Sequence, residues 1–410
     1  MTKLKFNLTA LSDYSGANDY VYAFAFNSGG GAYTLSNGTN ALTLISGGQS
    51  QSTSTSIADG TFEGGQIVLV AQHGGNGTAP PHASTGDIAP SNATQYNYSY
   101  QLIELSLGNQ TTDQADISSV NTFGFDTTLS IPNGPSSGYI SSAQSIYSLL
   151  DTQFPSAVSK FNNSQTYNLA QGPAANPSSF PAADWTNYTT GLSASPTNLN
   201  QMEIVTSYSG SNIAPAPSYI AYKVSYNQAD SSFILSPEFQ GMPNIDTHWL
   251  KISLADAQQN IYAQTGTLKW SPTGAQGSWQ SYSSFTPNNA DGDAAKYFVA
   301  GFDAGYWGST ATNPNSYYTT TTNLNQTWNW ARNYAYQGSL VDGNKEYGAI
   351  DVTNTLGTGP GTAGGNNRFY DPWAQIIQDN GNPYGYSYSD LLSTGGASPA
   401  ISTYGIKVNK

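Results

Sequence analysis

The sequence predicts a mainly β protein, with a β-sandwich or barrel domain joined to a mixed α/β domain. Short apolar runs fill the first third of the chain, and clusters of Gly, Asn and Ser separate them at short spacing. Helical spacing of apolar residues begins only after Pro132, and the last residues again alternate like strands. Many short, evenly punctuated strands are typical of a sandwich or barrel.

The N-terminal strands alternate apolar and polar residues, as a half-buried sheet requires. "KLKFNLTAL" places Leu4, Phe6 and Leu8 on one face, whereas "DYVYAFAFN" is apolar on both faces, so we expect both of its faces to be covered. The strands predicted after these two are "ALTLIS", "GGQIVLVAQ", "YQLIELSL" and "FGFDTTLSI".

The middle of the chain mixes helices, strands and a long loop. "SGYISSAQSIYSLL" has apolar residues at helical spacing from Ile140 to Leu150, with Ser137 as the predicted cap. Residues 171–200 predict a surface loop or lid, strands return at "YIAYKVSYN" and "HWLKISL", and a second helix is predicted at 320–335.

The C-terminal part begins with a well-marked short helix. In "YDPWAQIIQDNG", Asp371 is the predicted cap, Pro372 takes the first helical position and Gly381 lies beyond the end. The strand-like tail is expected to return to the first sheet. These features predict a β domain of residues 1–132 with the tail 381–410, and a mixed α/β domain of residues 133–380.

The composition fits a sugar-binding surface, and it fits equally well a secreted β-rich protein whose surface is simply rich in Thr, Ser and Tyr. Only 9% of residues are charged, while the chain has 29 Tyr and 8 Trp, and aromatic faces with amides and hydroxyls suit sugar rings. The formal net charge is −13 without any Lys/Arg-rich run, which argues against nucleic acid and anionic membranes as partners. There is no cysteine, and none of the three histidines lies in a metal-binding spacing, so no metal site built on Cys or His is expected.

Glu104 is the carboxylate that the strand pattern singles out. It lies within an apolar strand between Ile103 and Leu105, so its side chain points to the face opposite theirs. If that face lines a cleft, partial burial would raise the pKa of Glu104 and suit it to donate a proton to a glycosidic oxygen. A solvent-exposed Glu on a sandwich strand is the simpler explanation of the pattern.

Several segments, taken in order, resemble the bacterial β-1,3-glucanases of glycoside hydrolase family 64, which are relatives of the thaumatin-like proteins. The segments cover about two fifths of the chain and are "DYVYAFAFNSGG", "GGQIVLV", "IELSL…ADISSVNTFGFDTTLSI" and "YDPWAQIIQDNGNPYGYSYSDLL". The resemblance implies a thaumatin-like β-sandwich or barrel domain packed against the mixed α/β domain, with a wide acidic cleft between them. It also implies inverting hydrolysis of β-1,3-glucan by a Glu acid and an Asp base, without metal or cofactor.

The resemblance also implies site residues, and some of them differ from the family pattern. Glu104 matches the family's acid, but the Asp of the family's V-D-x-F-G segment is Asn121 here, and Asn cannot accept a proton from water. Asp116 matches an acidic cleft residue of the thaumatin-like relatives and is our preferred base, with Asp126 as another substitute. The residues assigned to substrate binding are Tyr388 and Asp390 of the closing motif and Gln66, which replaces a family Arg.

Three functions therefore remain open: an active endo-β-1,3-glucanase, a glycan-binding protein that has lost its base, and a structural, self-associating surface protein. The start of the chain lacks the apolar core of a signal peptide. We expect an extracellular protein whose leader is absent from this chain, and a cytoplasmic location stays open.

Overall fold

The structure is a computed structural model. The residues that it describes are 2–7, 14–51, 54–57, 62–92, 97–107, 114–130, 136–161, 166–180, 202–207, 219–238, 248–263, 266–272, 277–303, 340–342, 345–347, 372–381, 383–385 and 403–408.

The described residues form 22 strands and four α-helices. The strands are β1 (Thr2–Asn7), β2 (Tyr20–Phe26), β3 (Ala41–Ser46), β4 (Gln49–Ser50), β5 (Ser54–Ile57), β6 (Phe62–Gln72), β7 (Tyr98–Leu107), β8 (Gln114–Ser118), β9 (Thr122–Phe123), β10 (Thr127–Ser130), β11 (Ser136–Gly138), β12 (Val158–Lys160), β13 (Tyr167–Gln171), β14 (Met202–Ser207), β15 (Tyr219–Asn227), β16 (Ser232–Glu238), β17 (Trp249–Ser253), β18 (Lys269–Ser271), β19 (Gln280–Ser281), β20 (Leu340–Asp342), β21 (Lys345–Tyr347) and β22 (Thr403–Val408). The helices are α1 (Ala143–Gln153), α2 (Leu254–Ala263), α3 (Ala290–Asp303) and α4 (Pro372–Asp379). The prediction of a mainly β protein is confirmed.

The chain divides into two compact units. The first comprises Met1–Phe180, Ile376–Gly385 and Thr394–Lys410, and the second comprises Pro181–Gln375 and Tyr386–Ser393. Residues 133–180, which the sequence pattern places with the second domain, belong to the first unit. The tail does return to the N-terminal sheet, because β22 pairs in parallel with β1 and antiparallel with β10. The wide cleft remains a prediction.

The first unit is built on three sheets. A six-stranded antiparallel sheet has the order β4-β3-β2-β6-β7-β8, and a five-stranded sheet has the order β11-β10-β22-β1-β5. The third sheet, β12-β13-β9, is smaller. In β2, every residue from Val21 to Phe26 is buried, so the prediction that both faces of this strand are covered is confirmed.

Helix α1 begins later than its apolar spacing predicts. Its cap is Ser142, whose Oγ accepts a hydrogen bond from the Ser145 N–H at 3.3 Å, and Ile140 lies outside the helix with 86% of its surface exposed. Ser137, the predicted cap, instead pairs with Leu129 as part of β11. Strand pairing therefore takes the residues that precede the helix.

The second unit contains a six-stranded antiparallel sheet of order β14-β15-β16-β17-β18-β19, together with α2 and α3. Its buried face includes Tyr222, Phe233 and Leu250. In α4, Pro372 does take the first helical position, as predicted. The predicted helix at 320–335, the predicted cap Asp371 and most of the predicted loop, residues 181–200, lie outside the described residues.

Candidate active site

Strand β7 presents Glu104 on the face opposite to its buried neighbours, as the alternation predicts. Ile103 and Leu105 are almost fully buried, whereas Leu102, Glu104 and Ser106 are half-buried. The simpler explanation, a fully exposed Glu, does not describe this side chain. Glu104 keeps contact with solvent while part of its surface is covered.

The register of the sheet places two polar residues directly beside Glu104. Gln66 on β6 is its partner on one side, and Asp116 on β8 is its partner on the other. Directly opposed residues of antiparallel strands point to the same face, with Cβ atoms about 5 Å apart. Gln66, Glu104 and Asp116 therefore form one polar row across three strands, which we call the carboxylate row.

Burial differs along the carboxylate row. Asp116 is only 8% exposed, while Gln66 and Glu104 are half-buried. The charge of Glu104 acts on the same face of β7, where burial, and then the Glu104 carboxylate, raise the pKa of the Tyr100 phenol far above its usual value. The row thus combines one carboxylate in contact with solvent and one largely withdrawn from it.

An apolar cluster adjoins the carboxylate row on this sheet face. Tyr22, Phe24, Val68 and Tyr100 belong to a buried cluster, and Leu102 packs against its edge. Glu104 follows Leu102 on the same face of β7, so the carboxylate row begins where the apolar cluster ends. Low-polarity surroundings on one side strengthen the electrostatic interactions of the two carboxylates.

Asn121 does not lie opposite Glu104. The pairing of β7 and β8 runs from Asp116 opposite Glu104 to Ser118 opposite Leu102, so the chain moves away from Glu104 before it reaches Asn121. Asn121 is exposed, and its carbonyl accepts a hydrogen bond from the Gly172 N–H at 2.7 Å.

A buried amide sets the path of the chain after β8. Gln101 is fully buried, and its Nε2 donates to the Ser118 carbonyl at 3.1 Å and to the Ser119 hydroxyl at 3.2 Å. Gly124 then passes so close to β7 that a Cβ there would lie 2.2 Å from the Tyr100 carbonyl oxygen. These contacts keep the turn containing Asn121 at the far end of the strand pair.

Tyr384 is a site residue that sequence reasoning missed. Its N–H donates to the Ile117 carbonyl at 2.8 Å, and its carbonyl accepts from the Ser119 N–H at 2.6 Å. This parallel bridge pairs Tyr384 with Ser118, which shares a face with Asp116 two residues earlier. The half-buried Tyr384 therefore lies on the face of the carboxylate row, on the far side of Asp116 from Glu104.

The signal for Tyr384 was present in the closing motif "NPYGYSYSD", but nothing in the motif indicates which of its tyrosines reaches the sheet. Tyr388 and Asp390, the two residues assigned from that motif, lie outside the described residues. Asp126 is buried on the segment that leads into β10. Within the described part of the chain, no group of three or more His, Asp or Glu side chains is placed to hold a metal ion.

Comparison with known proteins identifies likeness at the level of the fold. No family model matches the chain, and no curated protein matches it. A solved structure of a β-1,3-glucanase domain (GH64) from Clostridium beijerinckii is similar with a TM-score of 0.52 and 11% identity, covering 100% of this chain and 98% of that one. The chain shares the fold of that GH64 domain.

A second solved structure is more distant. It is a GH family 64 laminaripentaose-producing β-1,3-glucanase from Paenibacillus barengoltzii, complexed with laminarihexaose. The TM-score is 0.40 with 10% identity, and the match covers 100% of this chain and 75% of that chain. Within the described residues, no helix has both the length and the apolar character needed to cross a membrane.

Proposed function

We propose that this chain is an inverting glycoside hydrolase acting on β-1,3-glucan, with Glu104 as the general acid and Asp116 as the base. The observation that carries the proposal is the direct pairing of Glu104 with Asp116 on adjacent strands. Two neighbouring carboxyl groups, one protonated and one ionised, are what hydrolysis of a glycosidic bond requires. The fold shared with a GH64 domain supports the choice of substrate.

The proposal requires the two carboxyl groups to stand at the separation of an inverting pair. A catalytic water must fit between acid and base, which sets their separation at roughly 6.5–9.5 Å. Cβ atoms about 5 Å apart satisfy this when the side chains diverge, since glutamate is one methylene longer than aspartate. Glu104 then protonates the leaving oxygen while Asp116 takes a proton from the water that attacks the anomeric carbon.

The neighbours of the two carboxylates fit a neutral sugar. Gln66 offers an amide donor and an amide acceptor beside Glu104 without adding charge. Tyr384 offers an aromatic ring on the other side of Asp116, where a pyranose ring can stack. Because a polysaccharide does not cross a membrane, we also propose that the protein acts outside the cell.

Hydrolysis of laminarin and curdlan, measured as newly formed reducing ends, tests the proposal. Glu104→Gln and Asp116→Asn should each lower the rate by about 10²–10⁴-fold, because each removes one proton-transfer group. Glu63→Gln is the matched control. Glu63 is an exposed carboxylate on β6, outside the carboxylate row, and its loss should leave the rate unchanged.

The configuration of the first product tests the mechanism separately. Proton NMR of the newly formed reducing end should show the α-anomer first, as inversion of a β-linkage requires. An initial β-anomer would overturn the inverting assignment and leave a retaining pair. Wild-type protein that binds laminarin without releasing reducing ends would instead identify the non-catalytic glycan-binding protein considered from the sequence.

A further inference from the structure

The loop between β6 and β7 borders an open pocket in the first unit. Residues 73–92 of this loop cross the aromatic face of the six-stranded sheet, with Ile88 buried in the apolar cluster. The pocket has a volume of about 1100 Å³ and is lined mainly by residues 72–83, together with Ala32, Asn40, Asp87 and Asn97. We call it the 72–83 pocket.

The walls of the pocket are tied to the sheet. Asn40 Nδ2 donates to the His82 carbonyl at 2.7 Å, and Asn97 Nδ2 donates to the His73 carbonyl at 3.2 Å. The Tyr22 hydroxyl donates to the Gly77 carbonyl at 3.4 Å, and the His82 ring stacks on Phe24 with centroids 4.6 Å apart. Each tie joins the loop to an adjoining strand or turn, so the cavity is a formed feature of the fold.

Three side chains in the wall use only part of their hydrogen-bonding capacity on residues that the structure describes. Asn76 Oδ1 accepts from the Thr78 N–H at 3.0 Å, and Asn40 donates through Nδ2, as above. The contact of His82 Nδ1 with the Pro80 carbonyl at 2.7 Å requires a proton on Nδ1, because a carbonyl only accepts. Asn76 Nδ2, Asn40 Oδ1 and His82 Nε2 make no hydrogen bond to a described residue, which leaves one donor and two acceptors.

The chemistry of the lining favours a neutral, hydroxyl-rich ligand. Ala79, Pro80 and Pro81 supply apolar surface. Among the described residues that line the pocket there is no lysine or arginine, which argues against phosphate or carboxylate ligands. The Asp87 carboxylate already accepts from the Ser84 N–H and hydroxyl. Alternating C–H faces and hydroxyls of a sugar match such a mixture of apolar wall, donors and acceptors.

We propose that the 72–83 pocket is a second, non-catalytic binding site for a neutral oligosaccharide. It is separate from the carboxylate row, since Gln72 in its wall pairs with Tyr98, six residues before Glu104 on β7 and therefore about 20 Å away. Its role is to hold a glycan chain on the first unit. Binding there does not depend on hydrolysis at Glu104.

Calorimetric titration of the Glu104→Gln protein with laminaritetraose tests the pocket without turnover. When Asn76→Ala or His82→Phe is added to this protein, the affinity at one class of binding site should fall by about 10-fold, as loss of one or two hydrogen bonds predicts. His82→Phe keeps a ring to stack on Phe24. Asn227→Ala is the matched control, because exposed Asn227 makes the same turn contact, accepting from the Ala229 N–H at 3.0 Å, outside the pocket.

The outcomes separate this proposal from the proposed function. Weaker binding in both pocket variants, with unchanged binding in Asn227→Ala, supports the second site even if wild-type protein releases no reducing ends. Unchanged affinity and stoichiometry in both folded pocket variants, or no glycan binding to any of the proteins, overturns it even if hydrolysis is observed. Titration with a tetragalacturonate as the probe should show no binding to the pocket, and binding there would overturn the neutral class.

Discussion

Glu104 and Asp116 are neighbours because of strand register. They are directly opposed on β7 and β8, and a shift of one residue in that register would send Asp116 to the buried face beside Ile103. The apolar alternation of β7 and β8 specifies the register, since Ala115 and Ile117 are fully buried on the other face. The packing of the apolar face therefore places the carboxylates.

Asn121 departs from the pattern of the family that the sequence resembles, and restoring the family's Asp there is predicted to leave the hydrolysis rate unchanged. Asn121→Asp should not raise the hydrolysis rate, because residue 121 lies in an exposed turn beyond the end of the strand pair. A working general base contributes about 10²–10⁴-fold, and none of that gain is expected here. Reducing-end release from laminarin by Asn121→Asp and by wild type provides the measurement, and a gain of about 100-fold or more would show that the base belongs at residue 121.

Tyr384 yields a prediction of weakened binding. Tyr384→Ala should raise KM about 10-fold with a smaller change in kcat, because a stacked ring contributes about 1 kcal/mol or more to holding a sugar. Tyr384→Phe keeps the ring and should stay close to wild type. The backbone hydrogen bonds of residue 384 remain in both variants. A fall of similar size in kcat, with KM unchanged, would contradict a role of Tyr384 in holding the sugar.

At the scale of elements, a buried carboxylate fixes the start of α3 in the second unit. Asp291 is 1% exposed, and its carboxylate accepts from the hydroxyls of Tyr222 at 2.8 Å and Tyr282 at 2.6 Å. His248 Nδ1 lies 2.7 Å from the same carboxylate, and the His248 ring packs against Trp270 with centroids 4.3 Å apart. One side chain of the helix thus joins β15, the residue before β17 and the segment after β19.

Removing that carboxylate should destabilise the second unit. Asp291→Ala removes the carboxylate that accepts from the buried Tyr222 hydroxyl and the half-buried Tyr282 hydroxyl and that contacts the His248 imidazole. We expect a loss of about 3 kcal/mol in the free energy of unfolding. Asp293→Ala is the matched control in the same helical turn. Its partly exposed ion pair with Lys296 should be worth less than about 0.5 kcal/mol. Urea unfolding followed by Trp fluorescence measures both, and equal losses would contradict a special role for Asp291.

Local sequence patterns predicted the secondary-structure elements better than they predicted which elements contact each other. The period-2 alternation of β7 was enough to predict which way Glu104 points, since that depends only on neighbouring residues. The cap of α1 was misplaced because Ser137 is taken up by pairing with β10, a tertiary contact. The contact of His248 with Asp291 spans 43 residues, and the bridge of Ser118 with Tyr384 spans a far longer separation, so no local pattern reports either.

At the scale of the whole molecule, the first unit is closed by its own C-terminal residues. β22 lies between β1 and β10, so the five-stranded sheet is complete only when the tail is present. Tyr384 adds a parallel bridge to β8 from the same end of the chain. The return of the tail was predicted from its strand-like alternation. Its partners, β1 and β10, could not be predicted in this way, because alternation within a strand does not encode long-range pairing.

Both units contain buried tyrosines whose ionisation is opposed by the fold. Burial raises the pKa of Tyr100, Tyr139, Tyr147 and Tyr222 above the usual value, and the nearby carboxylates of Glu104, Asp126 and Asp291 add to the effect at Tyr100, Tyr139 and Tyr222 respectively. In the unfolded chain each phenol ionises near pH 10. The unfolded state therefore releases these protons first, and stability must fall as pH rises above that value.

The resulting prediction is unfolding in alkali. Stability should be insensitive to these four groups below about pH 9 and should fall by up to about 1.4 kcal/mol per pH unit for each of them above about pH 10. Urea midpoints between pH 8 and pH 11 measure the slope, and absorbance at 295 nm reports tyrosinate formation. Tyr139→Phe should reduce the slope by the contribution of one tyrosine. It also removes the hydrogen bond to Ser119, and that loss applies at every pH. A slope identical to that of wild type would mean that Tyr139 ionises inside the folded unit, and recovery of the signal on return to pH 8 is the control for irreversible damage.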